Sequence, residues 1–102
     1  MTKISFKEVD NKIGVVVKGH AGFDIYNHDI VCAGISTALT MTINALDNLG
    51  YNIIGLEMSE GYSTFMVESN DTTRAIIKTF REVIEQLSKE NPKNVKIIKM
   101  ED

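Results

Sequence analysis

The chain has one cysteine, two histidines, one proline and no tryptophan among its 102 residues. A single cysteine excludes an internal disulfide, and with it the stapled scaffolds of small secreted domains. A cytoplasmic location is the expectation that follows. No run reaches the roughly 18 consecutive apolar residues of a membrane span, and the start "MTKISFKEVD" has no apolar signal core. No membrane role is expected. Lysine and arginine form no cluster along the chain, and the formal net charge is −3. Direct contact with nucleic acid is therefore not expected. There is no phosphate-cradling glycine-rich loop and no Gly-x-Ser-x-Gly elbow. Two histidines and one cysteine lack a metal-ligand spacing, so no metal site is expected, and nucleophilic catalysis by a thiol needs no cofactor.

What remains is an ordinary globular composition, 43% hydrophobic and 25% charged, in a length that suits one domain, residues 1–102. "KISFKEV" alternates as a half-buried strand, and Asp10-Asn11 turns the chain into a more buried strand, "IGVVVKG". A helix follows. Its stripe is Val31, Ile35, Ala38, Leu39, Thr42, Ala45, Leu46 and Leu49, with Asp29 or Asn27 as N-cap and Gly50 as the left-handed stop. "YNIIGLEM" and "YSTFMVE" form a second hairpin around "SEG". Asn70-Asp71 cap a second helix with the stripe Ile76, Phe80, Val83, Ile84 and Leu87, which ends at Asn91-Pro92. "NVKIIKM" is the last strand. The order ββαββαβ predicts an α+β fold, a mainly antiparallel sheet with two helices on one face.

The rare residues gather in "VKGHAGFDIYNHDIVCAGIST", Val17 to Thr37. With Asp29 as N-cap, Cys32 falls in the first helical turn. Unpaired N–H groups there favour a thiolate and are placed to hold an oxyanion. His20 ends the second strand, so a short loop brings imidazole and thiol together for nucleophilic catalysis. The plainer readings are a small buried cysteine and a structural histidine. His28 is a rival base. Asp29 is an N-cap that also orients a histidine, or a cap alone, and Asp24 is a weaker candidate for that third role. Ser36 lies one turn after Cys32, placed to support it by a hydrogen bond. Ser36, Thr37, Thr40 and Thr42 otherwise read as ordinary helix residues. Gly19 allows a close backbone approach where the strand ends.

Gly19-His20-Ala21, followed by Asp29-Ile30-Val31-Cys32-Ala33-Gly34 and Ser36, resembles the ribosomal-processing cysteine protease family of Firmicutes and related bacteria. Length and element order fit that family over the whole chain. The resemblance implies an endopeptidase that removes a short N-terminal extension from large-subunit ribosomal protein twenty-seven. Cleavage follows an aromatic pair, before alanine or serine. It implies Cys32 as nucleophile, His20 as base, a homodimer, and a mobile substrate-binding loop over Ala21, Gly22, Phe23, Asp24, Ile25, Tyr26, Asn27 and His28. Asn27 departs from the glycine common there; asparagine is next best for positive φ, so a slightly stiffer loop is expected. Exposed Phe23, Ile25 and Tyr26 then serve to cover an aromatic peptide, or else tuck into the core. The rival functions are a non-catalytic ribosome-assembly module using the same groove and a redox-sensing thiol.

Overall fold

The computed structural model describes residues 1–19 and 25–99, with side chains at 1–19 and 30–98. The elements run β1 (Thr2–Val9), β2 (Lys12–Lys18), α1 (Ile25–Asn48), β3 (Ile54–Ser59), β4 (Tyr62–Glu68), α2 (Asp71–Glu90) and β5 (Val95–Lys99). The five strands form one sheet in the order β3-β4-β2-β1-β5. Only β1–β5 is parallel. This is the expected α+β architecture.

Local chemistry explains the joints. Asp10 and Asn11 both take positive φ, 52° and 61°, the signature of a type I′ turn that matches strand twist. At the end of α1, Gly50 donates to the Asp47 carbonyl and Tyr51 to the Leu46 carbonyl. With Gly50 at φ 89°, this pair of bonds is a Schellman cap. Asn70 caps α2: its side chain accepts from the Thr73 N–H, and the Thr73 hydroxyl accepts from the Asn70 N–H. The Asn91 N–H closes that helix on the Leu87 carbonyl, directly before Pro92.

One face of the sheet carries the core. Ile4, Ile13, Val15, Phe65, Val67 and Val95 meet Val31, Ile35, Leu39, Ile43 and Leu46 of α1 and Ile77, Phe80 and Ile84 of α2. Each fully buried aliphatic side chain contributes roughly 1.5–3 kcal/mol. Two members of the expected stripes lie elsewhere. Leu49 follows the last helical residue and is 58% exposed, and Val83 is 42% exposed. Ile43 and Ile77 take the buried places. Thr42 donates to the Ala38 carbonyl at 2.8 Å, as a helix-interior hydroxyl does. The segment Ile30–Asn48 is long and apolar enough, by length and composition, to cross a membrane. Its inner side is the protein core, so here it serves as the central packing helix.

Candidate active site

The end of β2 is held from two sides. The Lys18–Tyr62 pairing brings it beside the β3–β4 turn, where the Gly19 N–H donates to the Gly61 carbonyl at 2.9 Å. On the other side, a Cβ on Gly19 would lie 2.4 Å from the Met1 carbonyl oxygen, and Gly19 sits at φ 100°. Both constraints require glycine. The close backbone approach expected at this position is real. It fixes the chain one residue before His20.

Cys32 approaches from α1. It is half-buried on the helix, between core residue Val31 and exposed Ala33. Gly34 faces the second helix, where an added Cβ would meet Leu87 Cδ1 at an ordinary 3.7 Å. Ser36 follows one turn after Cys32 and is exposed.

The start of α1 corrects the reading from sequence. The helix begins at Ile25, so neither Asn27 nor Asp29 is its N-cap. The physical reason is an absence: no glycine or proline interrupts Ile25 to Ala33, and a nucleated helix propagates through such a segment. Cys32 is therefore the eighth helical residue, not a first-turn one. Its amide belongs to the internal i→i−4 series, and the dipole's effect fades within the first turn. This removes the amide at Cys32 from the oxyanion role.

The same start divides the expected loop. Ile25, Tyr26, Asn27 and His28 have helical backbone, so the positive φ anticipated at Asn27 does not occur. Asp29 is likewise helical. His20, Ala21, Gly22, Phe23 and Asp24 lie outside the described residues, as do the side chains of Ile25 to Asp29. Among the described residues, no group of three histidine, cysteine, aspartate or glutamate side chains is arranged to hold a metal. The tie from Gly61 to Gly19 had no sequence signal. A turn glycine reads only as a turn until the strand order places it against another strand's end.

Comparison with known proteins adds the chemistry. Residues 1–96 match the family model described as cysteine protease Prp. A ribosomal processing cysteine protease Prp of Staphylococcus aureus is 29% identical over 87 residues, covering 81% of this chain and 82% of the relative. The fold is shared with SMU.848 from Streptococcus mutans at TM-score 0.79 and 24% identity, over 100% of this chain and 96% of that one. It is shared too with an S. aureus Prp crystallised with a substrate peptide, at TM-score 0.77 and 25% identity, over 98% and 100% of the two chains. A further S. aureus Prp structure holds a covalently linked product peptide; it has TM-score 0.76 and 26% identity, with the same coverage. A family match spanning both the anchored end of β2 and the cysteine-bearing helix leaves one conclusion: the chain belongs to the cysteine protease Prp family.

Proposed function

We propose that this chain is a ribosomal processing endopeptidase with Cys32 as nucleophile and His20 as base. Its substrate is the N-terminal extension of large-subunit ribosomal protein twenty-seven, cut after an aromatic pair and before alanine or serine. One observation carries the reading. The matched family is one of cysteine proteases, and the match includes this chain's single cysteine. The S. aureus relatives supply the peptide-binding precedent.

In the proposed sequence, His20 takes the thiol proton and Cys32 Sγ attacks the scissile carbonyl. The tetrahedral intermediate collapses to a thioester as His20 protonates the leaving amine. Water, deprotonated by His20, then hydrolyses the thioester and restores the thiol. No cofactor enters. The reading places the protein in the cytoplasm, where its thiol stays reduced.

A homodimer completes the proposal. No charged residue occurs from Ile30 to Leu46, yet Ile30 and Met41 are 72% and 74% exposed. In a two-fold contact each surface meets a copy of itself, so an uncharged apolar face pairs without self-repulsion.

The test is mass spectrometry of a peptide that ends its extension in Phe-Phe and continues with alanine. Wild type cuts after the second phenylalanine. Cys32→Ala abolishes cleavage but still binds the peptide. His20→Ala loses on the order of 10²–10⁴-fold for want of a general base, and His28→Ala loses much less. Cleavage by Cys32→Ala would end the reading.

A further inference from the structure

Lysines far apart in sequence meet on the sheet face that carries no helix. Lys3 of β1 pairs directly with Lys18 of β2 on one side and with Lys96 of β5 on the other. Paired residues project from the same face, and the neighbours Ile4, Val17 and Val95 turn to the core side. Strand spacing of roughly 4.8 Å places the three lysine positions in a row about 10 Å across. All three are exposed, and among the described residues none is in an ion pair. Lys7 adds a fourth exposed lysine on the same face of β1, opposite Gly14.

Like charges directly opposite one another destabilise a sheet. Protection of an exposed edge accounts for Lys96 on β5, but Lys3 and Lys18 lie on inner strands. Two acidic residues of the same face are displaced from the row, and a third lies in the turn at its end. Glu57 is on the β3 edge, and Glu68 is paired with Lys12 at the far end of β2. Glu60 lies in the β3–β4 turn. A chain of net charge −3 therefore gathers local positive charge at a cost that an anionic partner would offset.

The next residue in the row is aromatic. Tyr62 of β4 pairs with Lys18, whose Nζ lies 6.0 Å from the ring centroid. Val16, Thr64, Ile98 and Met66 continue the face behind it. Lysines that track a phosphate backbone, with an aromatic ring beside them on an open sheet, are the elements of single-strand recognition. An acidic protein segment would use the lysines alone. We propose that this row is a docking surface for single-stranded RNA, bound through phosphates at Lys3, Lys18 and Lys96 and through a base at Tyr62. The choice of RNA rests on the ribosomal reading of the active site. The surface reverses the expectation drawn from sequence order, in which no basic cluster is visible.

Fluorescence anisotropy with a labelled oligouridylate of about a dozen nucleotides tests it. Wild type should bind weakly, with Kd on the order of 10⁻⁴–10⁻⁶ M. Three phosphate contacts give a log K against log salt slope of about −2, or roughly 20-fold weakening from about 50 to about 200 mM salt. The triple variant Lys3→Gln/Lys18→Gln/Lys96→Gln should lose at least about tenfold at the lower salt. Lys78→Gln/Arg81→Gln/Lys89→Gln, all on α2 across the sheet, changes the net charge equally away from the row and should keep binding. Tyr62→Leu should weaken RNA binding on the order of tenfold and leave polyglutamate binding unmoved. No RNA binding, equal losses in both triple variants, or polyglutamate binding as tight as RNA would each overturn the proposal. Cleavage of the Phe-Phe-Ala peptide reads the active-site proposal separately, so the two can fail independently.

Discussion

Replacing Gly19 by alanine perturbs the one backbone position that the fold pins immediately before His20. Two costs act there. An L-residue at φ 100° pays roughly 1–2 kcal/mol for left-handed backbone. The new Cβ would also stand 2.4 Å from the Met1 carbonyl oxygen. Ordinary contact begins near 3.4 Å, so one strand end must move by about 1 Å. Such overpacking costs roughly 1–3 kcal/mol. The sum is about 2–5 kcal/mol, which lowers Tm by about 10–40 °C in a domain of this size. Gly50 separates the two costs. It sits at φ 89° with nothing within 4 Å of its added Cβ. Gly50→Ala therefore carries the backbone cost alone, partly offset by a less flexible unfolded chain, for a net of about 1 kcal/mol and about 5 °C. Gly34→Ala completes the series with the opposite sign. Its helical backbone and 3.7 Å neighbour accept a methyl, and alanine gains about 1 kcal/mol of helix propensity. Thermal melts of the three variants give the ranking, and peptide cleavage below the lowest Tm shows whether crowding at Gly19 is passed to His20. Equal Tm values for Gly19→Ala and Gly50→Ala would refute the crowding argument.

Sedimentation at micromolar concentration should give about twice the 11.4 kDa chain mass. Met41→Lys should shift it toward monomer by placing charge on the neutral α1 surface; a Met41→Lys dimer as tight as wild type would remove that surface from the interface. Asn70→Ala should cost about 1 kcal/mol in urea unfolding through loss of the α2 cap. Thr73→Val should cost more, about 1–3 kcal/mol, because its buried hydroxyl also donates to the Glu68 carbonyl at 2.7 Å. The reverse order would show that the side-chain cap dominates.

The strands, their turns and the second helix were legible because each is bounded by local chemistry: Asp10-Asn11, Asn70 and Asn91-Pro92 act within a few residues of themselves. The first helix was legible at its end, where Gly50 acts in the same way, but not at its start. Asn27 and Asp29 are residues that cap helices well, yet nothing compels a helix to begin at the last such residue when the preceding turn also propagates. That error placed Cys32 in the first turn and assigned it backbone donors it does not own. Helical stripes were recovered only in part. Ile43 and Ile77 stand next to residues of the expected faces, and packing against the sheet, not period alone, selects between neighbours. The lysine row was invisible because residues 3, 18 and 96 become neighbours only through the strand order.

Seating β5 against β1 also ties the fold to the direction of synthesis. Thr2 pairs with Val95, and its N–H donates to the Asn94 carbonyl at 2.8 Å. Those partners are separated by nearly the whole chain. At about 5–20 residues per second, roughly 5–20 seconds pass between their emergence. Throughout that interval the outer side of β1 is an unpaired strand edge, a template for strands of other chains. The β1–β2 hairpin can form early, but the sheet closes last at its oldest strand. A nascent chain of this protein thus depends on β5 for protection of β1, and loss of β5 would expose that edge for the life of the molecule.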